Sequence, residues 1–166
     1  MTLEGPPESE FEPGIAGRLP RKPVAAGVLV RDEAGQVLFV VPRYKPVLDI
    51  PGGIVEADES PKAACAREVL EELGLELPVG RLLVVDWLPR KGVWSDSHQF
   101  VFDGGVLTAD RVAALGPHDA ELDGLKFLAL PAATGHVYPS LHRRLELAFQ
   151  ALESNRTIYA EFGREV

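Results

Sequence analysis

A chain of 166 residues, 46% of them hydrophobic, is long enough to bury one full core and short for two domains of ordinary size. Its net charge of −8 argues against binding duplex nucleic acid, which requires a basic stripe, and no apolar run approaches the ~20 residues that span a bilayer. The single cysteine, Cys65, has no partner for an internal disulfide, and Met1-Thr2-Leu3-Glu4 lacks a basic end followed by an apolar stretch, so a cytoplasmic protein is expected.

Residues 1–23 hold Pro6, Pro7, Pro13, Pro20 and Pro23 together with Gly5, Gly14 and Gly17. That composition predicts an extended arm, disordered over its first ten or so residues, with Phe11 and Ile15 as anchors. The main domain is expected over residues 24–154. Val24 to Val30 and Val37 to Val41 are apolar runs separated by Arg31-Asp32-Glu33-Ala34-Gly35, which predicts a hairpin. Weak alternation places it centrally in a sheet. Arg43, Tyr44 and Lys45 follow, and Leu48-Asp49-Ile50 leads into Pro51-Gly52-Gly53.

A helix is predicted next. Ser60 is a good N-cap, Pro61 suits the first helical position, Glu59 lies near the positive end of the dipole, and Gly74 supplies the stop. Ala66, Val69, Leu70 and Leu73 give an apolar stripe, flanked by Arg67, Glu68, Glu71 and Glu72, so that one face packs and the other works. Cys65 beside the stripe reads as a small buried side chain in preference to a nucleophile. Glu68, Glu71 and Glu72 stand at i, i+3 and i+4, where like charges destabilise a helix by roughly 0.2–0.5 kcal/mol per pair. Residues 56–76 carry seven acidic and two basic side chains, so most of the excess negative charge gathers here. A hard divalent cation, Mg²⁺ or Mn²⁺, would offset that repulsion and admit an anionic substrate.

Gly53, Glu59, Arg67-Glu68-Val69, Glu71-Glu72 and Gly74-Leu75 fall at the nine specified positions of a 23-residue pattern. The stretch resembles the Nudix box of the Nudix hydrolase family at every one of them. The resemblance implies an α/β (α+β) fold, a mixed β-sheet sandwiched between helices, and metal-dependent hydrolysis of a diphosphate bond in a nucleoside diphosphate linked to another group. By the same similarity Glu68, Glu71 and Glu72 are the metal-binding and catalytic carboxylates, with Glu68 and Glu72 the direct ligands. Arg67 and Glu59 are an internal ion pair that orients the helix, and Gly52 and Gly53 form the tight loop whose backbone approaches the metal. Many family members carry a tryptophan where Leu48 stands, so aromatic stacking at that edge is not expected.

Beyond the box, Leu82 to Leu88 and Gln99 to Phe102 are predicted strands, the first ending at Pro89 and the second at Asp103-Gly104-Gly105. The loop between them supplies substrate-binding candidates. Arg90 and Lys91 suit a phosphate or carboxylate, Trp94 a base, and His98 a proton, with Arg43 added from the segment before the box. The plain alternative is a set of exposed loop residues. One or two helical turns are expected over Ala109 to Leu115. Glu121, six residues before Phe127 in a strand predicted from Leu125 to Leu130, is the candidate general base, because several Nudix enzymes carry an acidic residue at about that offset; Asp119 and Asp123 compete with it. A final helix over Leu141 to Glu153, capped by Ser140, is expected to cover the sheet opposite the first, with Arg143 and Arg144 in solvent. Residues 155–166 form a tail whose Ile158, Tyr159 and Phe162 pack loosely or meet a second copy of the chain in a homodimer.

The expected reaction is attack of water on phosphorus, with cations screening the diphosphate and a carboxylate taking the proton. The partner is a nucleotide-derived small molecule, drawn from the nucleotide sugars, ADP-ribose or nucleoside triphosphates. Pro89, fourteen residues beyond Leu75, resembles the proline about fifteen residues past the box in one ADP-ribose-cleaving subgroup, although its place at a strand end is explanation enough. The alternative function is a regulatory Nudix module that binds a nucleotide without cleaving it, which the complete glutamate set disfavours.

Overall fold

The two apolar runs pair as their pattern requires. In the computed structural model, which describes residues 8–166, they are β1 (Val24–Asp32) and β2 (Val37–Pro42), an antiparallel hairpin. Neither strand alternates with polar residues, because both faces are covered. Leu29, Val37 and Phe39 enter one core, while Val28, Val30, Leu38 and Val40 enter the other. Each of these large side chains contributes roughly 1.5–3 kcal/mol by leaving water.

Further strands extend the sheet from this pair. They are β3 (Gly52–Ile54), β4 (Leu82–Leu88), β5 (Ser97–Leu107), β6 (Leu122–Leu128), β7 (Ile158–Glu161) and β8 (Arg164–Glu165). The order is β6-β2-β1-β5-β4-β7-β8, with β3 added to the start of β1. The β1–β5 and β4–β7 pairs are parallel and the others antiparallel, so the sheet is mixed as expected. One helical turn, α1 (Ile15–Arg18), precedes it, and α2 (Pro61–Leu73), α3 (Ala109–Ala113) and α4 (Pro139–Ser154) complete the chain. Cys65, Val69 and Leu73 of α2 pack on one face, and Leu141, Leu145 and Ala148 of α4 on the other, which puts the two long helices on opposite sides.

Several expectations are corrected. The strand after the loop does not stop at Asp103; it runs through Gly104-Gly105 to Leu107, because β1 pairs along its whole length and the glycines form a bulge where the register shifts. The strand expected at Leu125 to Leu130 lies at Leu122–Leu128, and Leu130 opens a 3-10 turn. Ser140 does not cap α4. Pro139 takes the first helical position and Tyr138 the cap, which leaves Ser140 inside the helix. Phe11 anchors nothing, being 94% exposed. The disorder expected of the first ten residues falls, for residues 1–7, outside the described residues; Glu10 accepts hydrogen bonds from the Gly14 and Ala16 N–H groups.

The largest corrections concern the carboxyl-terminal part. Arg144 is not in solvent: it is buried, and its Nε donates to the fully buried Asp86 of β4 at 2.7 Å. Arg143 is half-buried, donates to Phe162 O at 2.7 Å and lies over the Phe162 ring. Residues 155–166 do not pack loosely. They supply β7, whose Ile158 and Ala160 are buried against β4 and α4, and Gly163 N–H donates to the second Asp86 oxygen at 2.9 Å.

Candidate active site

The site is built where β3, its preceding loop and α2 meet. Ser60 Oγ accepts from Ala63 N–H, Pro61 sits at the first position and Gly74 closes the helix in the left-handed conformation, so its ends lie where the residues predicted them. Its buried side differs from the expected stripe. Ala64, Cys65, Val69 and Leu73 are buried, whereas Ala66 is exposed and Leu70 is 46% exposed. Cys65, Glu68, Val69 and Glu72 follow the i, i+3, i+4, i+7 spacing of one face. Packing and working faces therefore coincide: Glu68 and Glu72 line the edge of the buried stripe, and Glu71 alone of the three turns half into solvent.

Two glycines allow this close approach. Gly52 has φ +142° against β1, and a Cβ there would lie 2.3 Å from Ala26 O. A Cβ on Gly53 would fall 2.4 Å from the Glu68 carboxyl carbon, so the loop backbone and the Glu68 side chain share one space. Gly52 N–H donates to Glu72 Oε2 at 2.9 Å.

The Glu72 carboxyl is pushed up to about 8, first by burial and then by the charges of Glu68, Asp49 and Asp119, against the opposing pull of the Gly52 N–H. Arg67 organises the rest. Its Nε and Nη2 grip both Glu59 oxygens at 3.0 and 2.9 Å, its Nη1 donates to Glu68 at 2.9 Å and Glu71 at 3.3 Å, and its Nη2 also reaches Ile54 O at 3.2 Å. These bonds raise the Arg67 pKa, chiefly through Glu59, and lower that of Glu59, chiefly through Arg67. The thiol of Cys65 is pushed up to about 12 by burial, which keeps it protonated and inert.

The donor set fits a hard cation. Carboxylate oxygens crowd a space that a single methyl would fill, and Glu72 cannot ionise there comfortably without added positive charge. As the side chains stand, with Glu68 and Glu71 turned to Arg67, no three His, Cys, Asp or Glu groups among the described residues converge on one point.

The remaining candidates divide. Glu121 is exposed; its carbonyl accepts from Arg43 N–H and its own N–H donates to Asp119 Oδ1 at 2.7 Å. Its charge reaches Tyr44, while the loop charge that reaches Glu72 is that of Asp119. Arg43 Nε is held by Asp123 at 2.6 Å. Lys91 and Trp94 exchange backbone hydrogen bonds around Gly92, which leaves Trp94 74% exposed and sets the Lys91 ammonium over the Tyr138 ring. Arg90 is exposed, and His98 belongs to β5, opposite Trp87 of β4. Leu48 is in the core.

A cleft of about 270 Å³ opens beside the glycine loop, lined by Lys45, Asp49, Gly52, Gly53, Gln99 and Arg144 among others. Asp49, Lys45, Gln99 and Arg144 were not singled out from the sequence. Asp49 and Lys45 form an i, i+4 ion pair whose spacing was readable, but nothing in the residues marked Gln99 or Arg144. A larger groove of about 630 Å³ lies along α4, lined by Leu130, Arg143, Phe149 and Glu153, with none of the box carboxylates in its wall.

Known proteins resemble this chain in sequence and in fold. A MutT-like protein of Streptomyces ambofaciens is 40% identical over 125 residues, covering 68% of this chain and 79% of that one. A candidate 8-oxo-dGTP diphosphatase of Bacillus subtilis is 33% identical over 104 residues, covering 63% of this chain and 64% of its own, so the match spans a little under two thirds of that relative. The crystal structure of a MutT protein from Methanosarcina mazei Go1 matches with a TM-score of 0.64 at 25% identity, over 84% of this chain and 100% of that one. The family profile described as the NUDIX domain matches residues 21–147. Since that match takes in the sheet centre, the glycine loop and the carboxylate helix, the chain belongs to the Nudix hydrolase family.

Proposed function

We propose that this Nudix hydrolase splits the diphosphate bond of a nucleoside diphosphate carrying a further group, with Mg²⁺ or Mn²⁺ as cofactor. The observation that carries the proposal is Glu72: a partly buried carboxyl, held by Gly52 N–H and surrounded by the charges of Glu68, Asp49 and Asp119, asks for a cation. Glu68, Glu71 and Glu72 are the residues assigned to hold it, with the backbone of Gly52 and Gly53 alongside. When bound, such a cation screens the diphosphate and makes water a better nucleophile.

The chain's own residues then have separate tasks. Arg67, clamped by Glu59, is a positioning residue that fixes Glu68 and Glu71 in register with the loop. The acceptor of the water's proton is assigned to the acidic segment before β6, where Asp119 and Glu121 are the two candidates. Lys45 and the loop carrying Arg90 and Lys91 supply positive charge toward the substrate's phosphates, and Trp94 an exposed aromatic face. The relatives named as 8-oxo-dGTP diphosphatases put nucleoside triphosphates first among substrates to try, ahead of ADP-ribose and nucleotide sugars.

The test is release of phosphate or nucleotide from deoxynucleoside triphosphates, ADP-ribose, nucleotide sugars, NADH and diadenosine polyphosphates, with Mg²⁺, with Mn²⁺ and with chelator. Metal-dependent release from one class is expected. Silence across the panel, with nucleotide binding retained, would replace this proposal with a regulatory module.

A further inference from the structure

The cleft beside the glycine loop has a buried guanidinium in its wall that the reaction above does not use. Arg144 is 6% exposed, and its Nε is taken by Asp86 at 2.7 Å. Asp86 is filled on its other oxygen by Gly163 N–H. Among the described residues no acceptor takes a hydrogen bond from Nη1 or Nη2 of Arg144, and neither nitrogen is sealed from solvent, so their open side is the cleft that Arg144 lines. Water reaches both nitrogens there, and a ligand that displaces it must supply acceptors in its place.

The surroundings say what kind of ligand fits. By the alternation of β1, Ala25 and Gly27 face α4 as Leu29 does, and with the Ile50 side chain, which closes over Gly27, they give the cleft an apolar floor. Gln99 of β5 stands opposite Asp86 of β4 and adds an amide to the same wall. Because Asp86 neutralises Arg144, the free edge offers paired donors without net charge, which suits two adjacent neutral acceptors better than an anion. A 6-oxopurine presents O6 and N7 in that arrangement, and a guanidinium meets both at once. Adenine puts an amino donor where O6 would be, facing donors.

We propose that Arg144 reads the base of the nucleotide and selects 6-oxopurines over adenine, an inference that rests on the nucleotide-binding part of the function proposed above. The two failures are separable because binding of monophosphates needs no turnover. Titration calorimetry of the full-length chain with GMP, IMP, AMP and inorganic phosphate, in Mg²⁺, is expected to show GMP and IMP binding about tenfold or more tighter than AMP. Arg144→Lys keeps a charge beside Asp86 but removes the fork, and the ratio is expected to collapse toward one. If that variant fails to fold, Asp86→Asn combined with Arg144→Gln removes both charges together and makes the same comparison. Equal or undetectable binding of GMP and AMP, an unchanged ratio in a folded variant, or phosphate binding as tightly as GMP would overturn the proposal. A preserved base preference without any metal-dependent hydrolysis would overturn only the hydrolase assignment.

Discussion

Replacing Glu72 with glutamine should stabilise the metal-free protein while abolishing most hydrolysis. Glutamine has the same shape, and its carbonyl oxygen can still accept the Gly52 N–H, but it carries no charge into the company of Glu68, Asp49 and Asp119. Folding moves the Glu72 carboxyl from 4.5 to about 8, so the folded chain holds that proton more tightly than the unfolded one. The resulting stability is present in full below about pH 4.5 and is lost as pH rises toward 8. At 1.36 kcal/mol per unit the whole span is about 5 kcal/mol. Screening at a partly solvent-accessible site reduces this, and a gain of about 1–3 kcal/mol for the variant at pH 8 is expected. In a domain of this size each kcal/mol moves the melting temperature by about 2–4 °C.

The assay is thermal unfolding of both proteins in chelator at several values from pH 5 to pH 8. The difference between them should widen with pH, and adding Mg²⁺ should stabilise the wild type more than the variant. A variant less stable than wild type at pH 8, or a difference that does not change with pH, would show that burial and neighbouring charge do not burden Glu72 as argued.

Three other substitutions probe separate parts of the structure. Gly53→Ala puts a methyl where the Glu68 carboxyl lies, and a 10- to 100-fold loss of activity with weakened metal dependence is expected; unaltered metal titration would disconnect that loop from the carboxylates. Asp86→Ala strands Arg144 and Gly163 N–H in the interior and should cost about 3–5 kcal/mol, read from the urea midpoint; a shift below 1 kcal/mol would mean that water replaces the carboxylate. Ser60→Ala removes the cap on α2 and should cost about 1 kcal/mol with turnover per folded molecule retained, so a larger effect on turnover than on stability would count against a purely structural cap.

The elements that were legible in the residues are those specified locally. Ser60-Pro61 and Gly74 bracket α2 by cap chemistry, and the apolar runs of β1 and β2 need only two covered faces to be read. The pattern of the box exposed the glutamates and the Arg67–Glu59 pair together. What stayed hidden depended on distant partners. Arg144 looks like any helix-surface arginine until Asp86, 58 positions earlier, is brought under it. Ile158 and Ala160 alternate with Tyr159 and Glu161 over four residues, too short a pattern to outweigh a tail-like composition. The apolar stripe of α2 was misassigned for a related reason: Ala66 and Leu70 are apolar, yet the sheet selects Cys65 and Val69, and the glutamates ride beside them.

The Asp86 carboxylate, satisfied by Arg144 and by the Gly163 N–H, also imposes an order on biosynthesis. A ribosome delivers residue 86 first and residue 163 77 positions later, a delay of roughly 4–15 s at ordinary elongation rates. Until Arg144 follows, 58 positions on, the nascent strand β4 carries a negative charge with neither of its eventual partners, which favours keeping that strand hydrated. Sealing of this flank of the sheet is thereby postponed until α4 and the strand after it have left the exit tunnel, so that a chain stalled before residue 144 would hold the glycine loop and carboxylate helix without a closed wall for the cleft beside them.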